Sequence, residues 1–406
     1  MNITDVGHLS DDGDSGEDKL EKGALKYGKT VWEVADYYTK YFFETMDQVN
    51  ILRPDIISKA TEHVADMISM IQTLEEKGFT YSTTDAIYFD ISKVADYGKL
   101  TGQKLEEKKQ AVRNEVYIDK EKRHPADFAL WFKRIGRFVN HTMHWDSPWG
   151  DGFPGWHIEC SAMSRKYLGD TIDIHSGGVD HISIHHTNEI AQSEAATGKP
   201  FARFWFHNEF LLVDGIKMSK SLGNFYTIEN VKEKGIDPLA LRYLFLQSHY
   251  RQQMNFTWDS LNAANEGLKN LRKMVIRMKK QDSRETLSEE KLSQIDNYRN
   301  QFMTSVSTDL QIGKAIATMW ELLKSNVPSS DKYDLVMEFD QILGLKLNEV
   351  EENDFIIPNE IIDLAEQRKL AKTNKDFISA DEIRQKILAL GYVIKDNTDS
   401  YIIEKK

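Results

Sequence analysis

The chain has 406 residues, of which 40% are hydrophobic, 11% aromatic and 29% charged, with a formal net charge of −12. That is enough for two or three domains at about 100–200 residues each, and too apolar for a disordered chain. No run approaches the ~18 apolar residues of a membrane span, and the single cysteine excludes an intramolecular disulfide.

The first 22 residues, MNITDVGHLSDDGDSGEDKLEK, are polar and acidic and do not read as a signal or transit peptide. From about 25 to 80 the pattern is helical. Ala60, Val64, Ile68, Ile71 and Leu74 recur at spacings of three and four and end at Lys77-Gly78, a helix stop. AIYFDIS (86–92) reads as a strand, and 93–123, rich in Lys and Glu, as a solvated connector. WDSPWGDGFPGWH (145–157) is dense in Pro and Gly and predicts an irregular loop. Over 171–230 short apolar runs alternate with helical stretches, which predicts an α/β sheet with parallel strands. Beyond 230 the pattern is helical. Leu268, Leu271, Val275 and Met278 keep a three-four rhythm, as do Ile312, Ile316, Met319 and Leu323, so a bundle to about 345 is expected. Residues 349–360 read as a linker, and 361–406 as one or two helices followed by a hairpin of GYVIKD and SYIIEK.

The chemistry concentrates in the middle. Eight of the twelve histidines lie between 141 and 207, together with Cys160. In IHHTNEIAQSEAA, His185 and Glu189 are four apart, so a helix places imidazole and carboxylate on one face. Cys160 could add a thiolate, and three such ligands with an open position form a catalytic zinc arrangement. His181, four before His185, competes for the same role, whereas His186 points about 100° away around the helix. The bland alternative is a buried cysteine acting as a small hydrophobe beside hydrogen-bonded core histidines. A second constellation, Lys-Met-Ser-Lys-Ser at 217–221 followed by Leu-Gly-Asn, can bring two ammonium groups and backbone donors onto a polyphosphate.

KMSKS resembles the nucleotide-binding signature of class I aminoacyl-tRNA synthetases. In order and spacing, PGWHIECSAMS (154–164), HSGGVDH (175–181), HHTNEIAQSEA (185–195) and KMSKSLGNF (217–225) are similar to the cysteinyl-tRNA synthetase family. So are NITD (2–5), NILRPD (50–55), DFALW (127–131), SPWG (147–150), LRYLFLQSHYR (241–251) and NKDFISADEIRQKI (374–387). The resemblance covers nearly the whole chain.

It implies an α/β fold: an incomplete Rossmann-type catalytic domain over 1–230 with an inserted connective region at about 25–140. A helical anticodon-binding domain over 231–348 and a small C-terminal α+β module over 355–406 would follow. It also implies ATP-dependent activation of cysteine and transfer to tRNA(Cys) in the cytoplasm, with one Zn2+ on Cys160, His185 and Glu189. Lys220 and Lys217, with Ser219 and Ser221, would meet the phosphates of ATP, which would carry Mg2+. Asp180 would meet the substrate ammonium, Trp156 would line the pocket, and His157 and His175 would shape it. Zinc reads sulfur directly, whereas shape alone separates cysteine from serine poorly. The basic stretch 268–284 would face RNA, with seven basic side chains from Lys269 to Arg284.

The chain departs from the family in two ways. It has no His-x-Gly-His signature, and no cysteine besides Cys160 to act as the family's further zinc ligand. The expectation is a chain that begins inside the catalytic domain, through a misplaced gene start or with a separate N-terminal fragment supplying the rest. Without its first strand the sheet would expose an apolar edge, leaving the isolated chain metal-poor, aggregation-prone and weakly active. Two other readings stay open: a cysteine ligase acting on an amino sugar, and a non-catalytic tRNA-binding paralogue.

Overall fold

A computed structural model describes residues 1–7, 18–102, 119–220, 222–281, 284, 286–351, 357–374, 376–396 and 401–405. The chain forms two compact units, Met1–Leu212 with Tyr250–Met254, and Val213–His249 with Asn255–Lys406. Among the described residues no helix is long and apolar enough to cross a membrane.

In the first unit, strand β1 (Asn2–Ile3) precedes helices α1 (Lys19–Tyr27) and α2 (Val31–Gln48). Asp18 caps α1 and a reciprocal Thr30/Glu33 capping box starts α2. Then come β2 (Ser58–Lys59), α3 (Val64–Glu76), β3 (Thr80–Ser82), β4 (Ala86–Phe89), β5 (Phe128–Lys133) and β6 (Gly152–Pro154). The unit continues through α4 (Trp156–Leu168), β7 (Ile172–Gly178), α5 (His185–Thr197) and β8 (Ala202–Asn208).

Helix α3 follows the sequence rhythm. Val64, Ile71 and Leu74 are buried, Lys77 is the C-cap, and Gly78 takes a left-handed φ of 76°. Ala60 stands one turn earlier, in a 3-10 turn. The strand expected at 86–92 is β4, which ends at Phe89 and passes into another 3-10 turn.

The loop expected at 145–157 holds β6, whose Phe153 pairs with Phe132 of β5. Its glycines permit this pairing. A Cβ on Gly155 would lie 2.0 Å from the Ala129 carbonyl oxygen, so only glycine lets α4 start this close to β5. Strand β5 itself, FALWFK, is a continuous apolar run because both its faces are covered. Phe128, Leu130 and Trp131 join α3, α4 and α5 in the main core, while Ala129 and Phe132 pack with Phe138 and Phe153 on the other side.

The parallel strands expected over 171–230 are present as β7 and β8, joined through α5. A second parallel pair, β1 and β2, stands apart from them, and β3–β6 form an antiparallel sheet. Among the described residues nothing pairs with the free edges of β1 and β7. The cross-strand pair Ile174 and Phe204 leaves apolar side chains 65% and 69% exposed.

The second unit starts within β9 (Leu211–Val213) and continues through β10 (Ile216–Lys217), α6 (Ile228–Glu233) and α7 (Pro238–Leu246). It takes in part of β11 (Met254–Phe256), then α8 (Trp258–Lys279), α9 (Glu289–Ser307), α10 (Ile312–Lys324) and α11 (Ser329–Leu343). The rhythm of α8 is kept, with Leu268, Leu271, Val275 and Met278 buried. The C-terminal stretch folds as α12 (Asn359–Thr373), α13 (Phe377–Ala389) and an antiparallel hairpin of β12 (Tyr392–Asp396) and β13 (Tyr401–Lys405). It has its own core of Ile361, Ala365, Ile387 and Ile394.

Candidate active site

Helices α4 and α5 pack against each other, and each brings part of the predicted cluster. Cys160, from the second turn of α4, meets His185 and Glu189 from the first two turns of α5, with their ligand atoms all within 4.8 Å of one another. The i, i+4 geometry is as read, with His185 Nε2 3.6 Å from Glu189 Oε2. Glu189 is wholly buried, and its other oxygen, Oε1, has no hydrogen-bond partner among the described residues. A buried carboxylate oxygen without a donor is costly, and a cation beside a thiol and an imidazole removes the cost. The residues present therefore fit a metal ion.

Burial also sets the protonation states. His185 is pushed down to about 3 and His186 to about 2, chiefly by desolvation, so both imidazoles are neutral at pH 7 and have lone pairs to donate. The Cys160 thiol is pushed well up, first by burial and then by Glu189 and Glu159. Ionising it there needs a cation.

The surrounding side chains fix orientations. His157 Nδ1 is 3.0 Å from His185 Nδ1, and the Gln192 amide donates to the His157 carbonyl at 2.5 Å. His175 Nε2 donates to Glu189 Oε2 at 2.8 Å. The Trp156 ring lies 4.4 Å from that of His185. His181 sits in a 3-10 turn beside Asp180, its ring 5.3 Å from that of His185, and it is not in the cluster. Asp180 is exposed.

Sequence reading turned His186 away from the site, yet His175, His186 and Glu189 form a second group within 4.8 Å that shares the same carboxylate. His186 Nδ1 in turn is 2.8 Å from His207 Nε2. The strand β7 passes so close that a Cβ on Gly177 would lie 2.7 Å from His186 Cε1. Tyr97, which donates to Asn188 Oδ1 at 2.6 Å, was also missed, as was Gln192. These partners are distant in sequence, and only the glycine pair in HSGGVDH could have hinted at the tight approach.

Lys217, Ser219 and Lys220 belong to the second unit, and Ser221 lies outside the described residues. Both lysines are exposed, with Lys220 Nζ 5.3 Å from the centre of the Phe225 ring. The loop is braced from within. Asn224 Oδ1 accepts the Ser219 N–H at 2.8 Å, and its Nδ2 donates to the Lys217 carbonyl at 3.1 Å. Asn224 is buried, and sequence reading passed over it.

The basic stretch is altered too. Helix α8 stops at Lys279, so Lys280 and Arg284 of this stretch lie beyond it. Lys269 pairs with Glu266 at 2.9 Å, Arg272 with Asp237 at 2.6 Å and Arg284 with Asp334 at 2.8 Å, so part of this charge is neutralised inside the chain.

Residues 2–266 match the family model described as the tRNA synthetases class I (C) catalytic domain. A cysteine–tRNA ligase from Treponema denticola is 44% identical over 424 aligned residues, covering 98% of this chain and 85% of that protein. The chain belongs to the cysteine–tRNA ligase family. A Burkholderia lata relative named cysteine–tRNA ligase 1 is 42% identical, over 98% of this chain and 82% of its own length. One from Borrelia garinii is 40% identical, over 100% and 87%. The structure of Mycobacterium tuberculosis methionyl-tRNA synthetase in complex with methionyl-adenylate superposes with a TM-score of 0.55 at 15% identity. It covers 82% of this chain and 81% of that one, a likeness of fold. The expected α/β class I synthetase architecture is thereby borne out, as is membership of this family.

Proposed function

We propose that this member of the cysteine–tRNA ligase family activates cysteine with ATP and transfers it to tRNA(Cys), with Cys160, His185 and Glu189 holding a Zn2+ ion. The observation that carries the metal assignment is the buried cluster itself, with Glu189 Oε1 left without a donor among the described residues. When bound, the ion supplies a Lewis-acidic position that prefers a substrate thiolate to an alcohol.

The chain's own groups do the rest. His157 Nδ1 lies 3.0 Å from His185 Nδ1; with the ring proton of His185 on that nitrogen its Nε2 is free to ligate, and His175 holds Glu189 in place. Trp156 walls the pocket against His185, and Asp180 offers a carboxylate to the substrate ammonium. Lys217 and Lys220, with Ser219 and Ser221, meet the phosphates of magnesium-bound ATP. Charge that develops on the departing pyrophosphate is stabilised by the two ammonium groups on a loop kept in shape by Asn224. The acyl group then moves from adenylate to the tRNA terminus, a step that needs positioning and no protein nucleophile.

The working division is a catalytic part over 1–230, a helical part over 231–348 that reads tRNA, and an accessory module over 355–406. The lone buried thiol suits the reducing cytoplasm. ATP–pyrophosphate exchange with the full chain tests the reading. Exchange, weak in a chain without the His-x-Gly-His signature, should depend on cysteine, ignore serine, and fall further in Glu189→Gln, with zinc content falling alongside. Zinc-independent exchange, or equal use of serine, would refute it.

A further inference from the structure

Away from the Cys160 cluster, a second set of ligating side chains gathers where α1 starts. We propose that Asp18, Glu21 and His141 form a metal site for a zinc-class divalent cation. Their ligand atoms lie within 4.8 Å of one another, and they share no residue with the first cluster.

The hydrogen bonds around the site define what is left over. Asp18 Oδ1 caps α1, accepting the N–H groups of Leu20 at 2.7 Å and Glu21 at 3.3 Å. Its Oδ2 faces His141 Nε2 at 3.2 Å, and both side chains are only 4% exposed. His141 Nδ1 is 2.8 Å from the Met143 carbonyl oxygen. A carbonyl only accepts, so Nδ1 donates to it and Nε2 is the ring nitrogen turned toward Asp18 Oδ2. Among the described residues Nε2 has no hydrogen-bond partner. A buried ring nitrogen without a hydrogen bond thus faces a buried carboxylate oxygen, and a cation held by both would satisfy the pair.

The geometry favours a metal ion over a shared proton. A proton wants the oxygen in line with the ring nitrogen, and here the close contact is not a hydrogen bond. Two ligands about 2.0–2.2 Å from a tetrahedral ion stand about 3.3–3.6 Å apart, close to the 3.2 Å of this pair. Glu21 completes the set. Its Oε1 accepts the N–H of Thr142, next to His141, at 2.8 Å and holds the second carboxylate against the same loop. The imidazole cannot swing away, because it lies flat on Phe153 with ring centres 3.7 Å apart and planes 7° apart. One imidazole and two carboxylates, with no sulfur, suit Zn2+ or Mn2+ rather than a soft ion. The ion would pin the first turn of α1 to the loop after β5.

Zinc content of the full chain, stripped with a chelator, reloaded with Zn2+ and desalted, tests this. Glu189→Gln disables both groups that depend on Glu189, so the zinc it retains reports on the second site. That variant should keep one zinc per chain, and adding Asp18→Asn should remove it. A Glu189→Gln chain without zinc, or a double variant holding as much as the single one, would overturn the proposal. Should Glu189→Gln fail to fold, Glu21→Gln in the parent chain gives the answer through competition with a chromophoric chelator. One zinc should then be held at least about tenfold more weakly, and an unchanged titration would overturn the site. Loss of the Cys160 site alone leaves these outcomes as they are, so the two assignments fail separately.

Discussion

At the scale of single residues, the candidate site was legible where chemistry follows spacing. His185 and Glu189 meet because they are four apart on a helix, and Cys160 was set beside them by a motif resemblance that the fold accommodates. What spacing could not give was ring orientation. His186, one step around the helix, reaches Glu189 Oε2 at 3.9 Å because β7 and β8 fold His175 and His207 over it. His175 contacts the Glu189 carboxylate, so under the proposed zinc assignment it would position that ligand. His175→Ala should weaken zinc binding by about 10–100-fold while Cys160, His185 and Glu189 remain. Equilibrium dialysis against buffered zinc measures that change, and the neutral isostere His175→Gln, which can still donate to Glu189, should recover most of it.

At the scale of elements, the helices were readable from their periodicity, as α3, α8 and α10 show. Strands β5 and β6 were not. FALWFK lacks alternation because both its faces are buried, and β6 is hidden in a Pro- and Gly-rich run whose glycines serve close packing rather than a turn. The seam between β7 and α5 is tight at Gly177. Gly177→Ala drives a methyl group against the His186 ring and should cost about 1–3 kcal/mol, read as a lower denaturant midpoint.

The C-terminal hairpin is held differently. Arg368, nearly buried, makes a two-pronged bond to Asp396 at 2.7 and 2.9 Å, and Lys372 adds a third contact at 2.9 Å. Arg368, then Lys372, hold the Asp396 carboxyl far below its ordinary range. A depressed carboxyl contributes stability that is complete above its unfolded value of about 3.9 and is lost as pH falls through its folded one. The hairpin should therefore loosen below about pH 4. Asp396→Asn should remove that pH dependence and cost about 1–3 kcal/mol at pH 7, both visible in amide exchange over 392–405.

At the scale of the molecule, the α/β class and the helical second half could be anticipated from where apolar periodicity changes near 230. The antiparallel β3–β6 sheet and the separation of the parallel strands into two pairs could not, because pairing partners lie far apart in sequence. The module made by α12, α13 and the hairpin has a core of its own, so removing 355–406 should leave the remainder folded. The shortened chain should keep cysteine-dependent pyrophosphate exchange and lose affinity for tRNA in filter binding, whereas equal loss of both would show that the module supports the catalytic part.

The route of the backbone adds a constraint on dissecting this protein. Residues 250–254 return to the first unit, where the Tyr250 carbonyl accepts the Glu209 N–H at 2.8 Å and Met254 donates to the Phe210 carbonyl at 3.1 Å. No single scission separates the halves cleanly. A fragment stopping before 250 forfeits a stitch of its own fabric, and one starting at 213 carries that stitch away with nothing to sew it to, so recombinant halves should behave better co-expressed than alone.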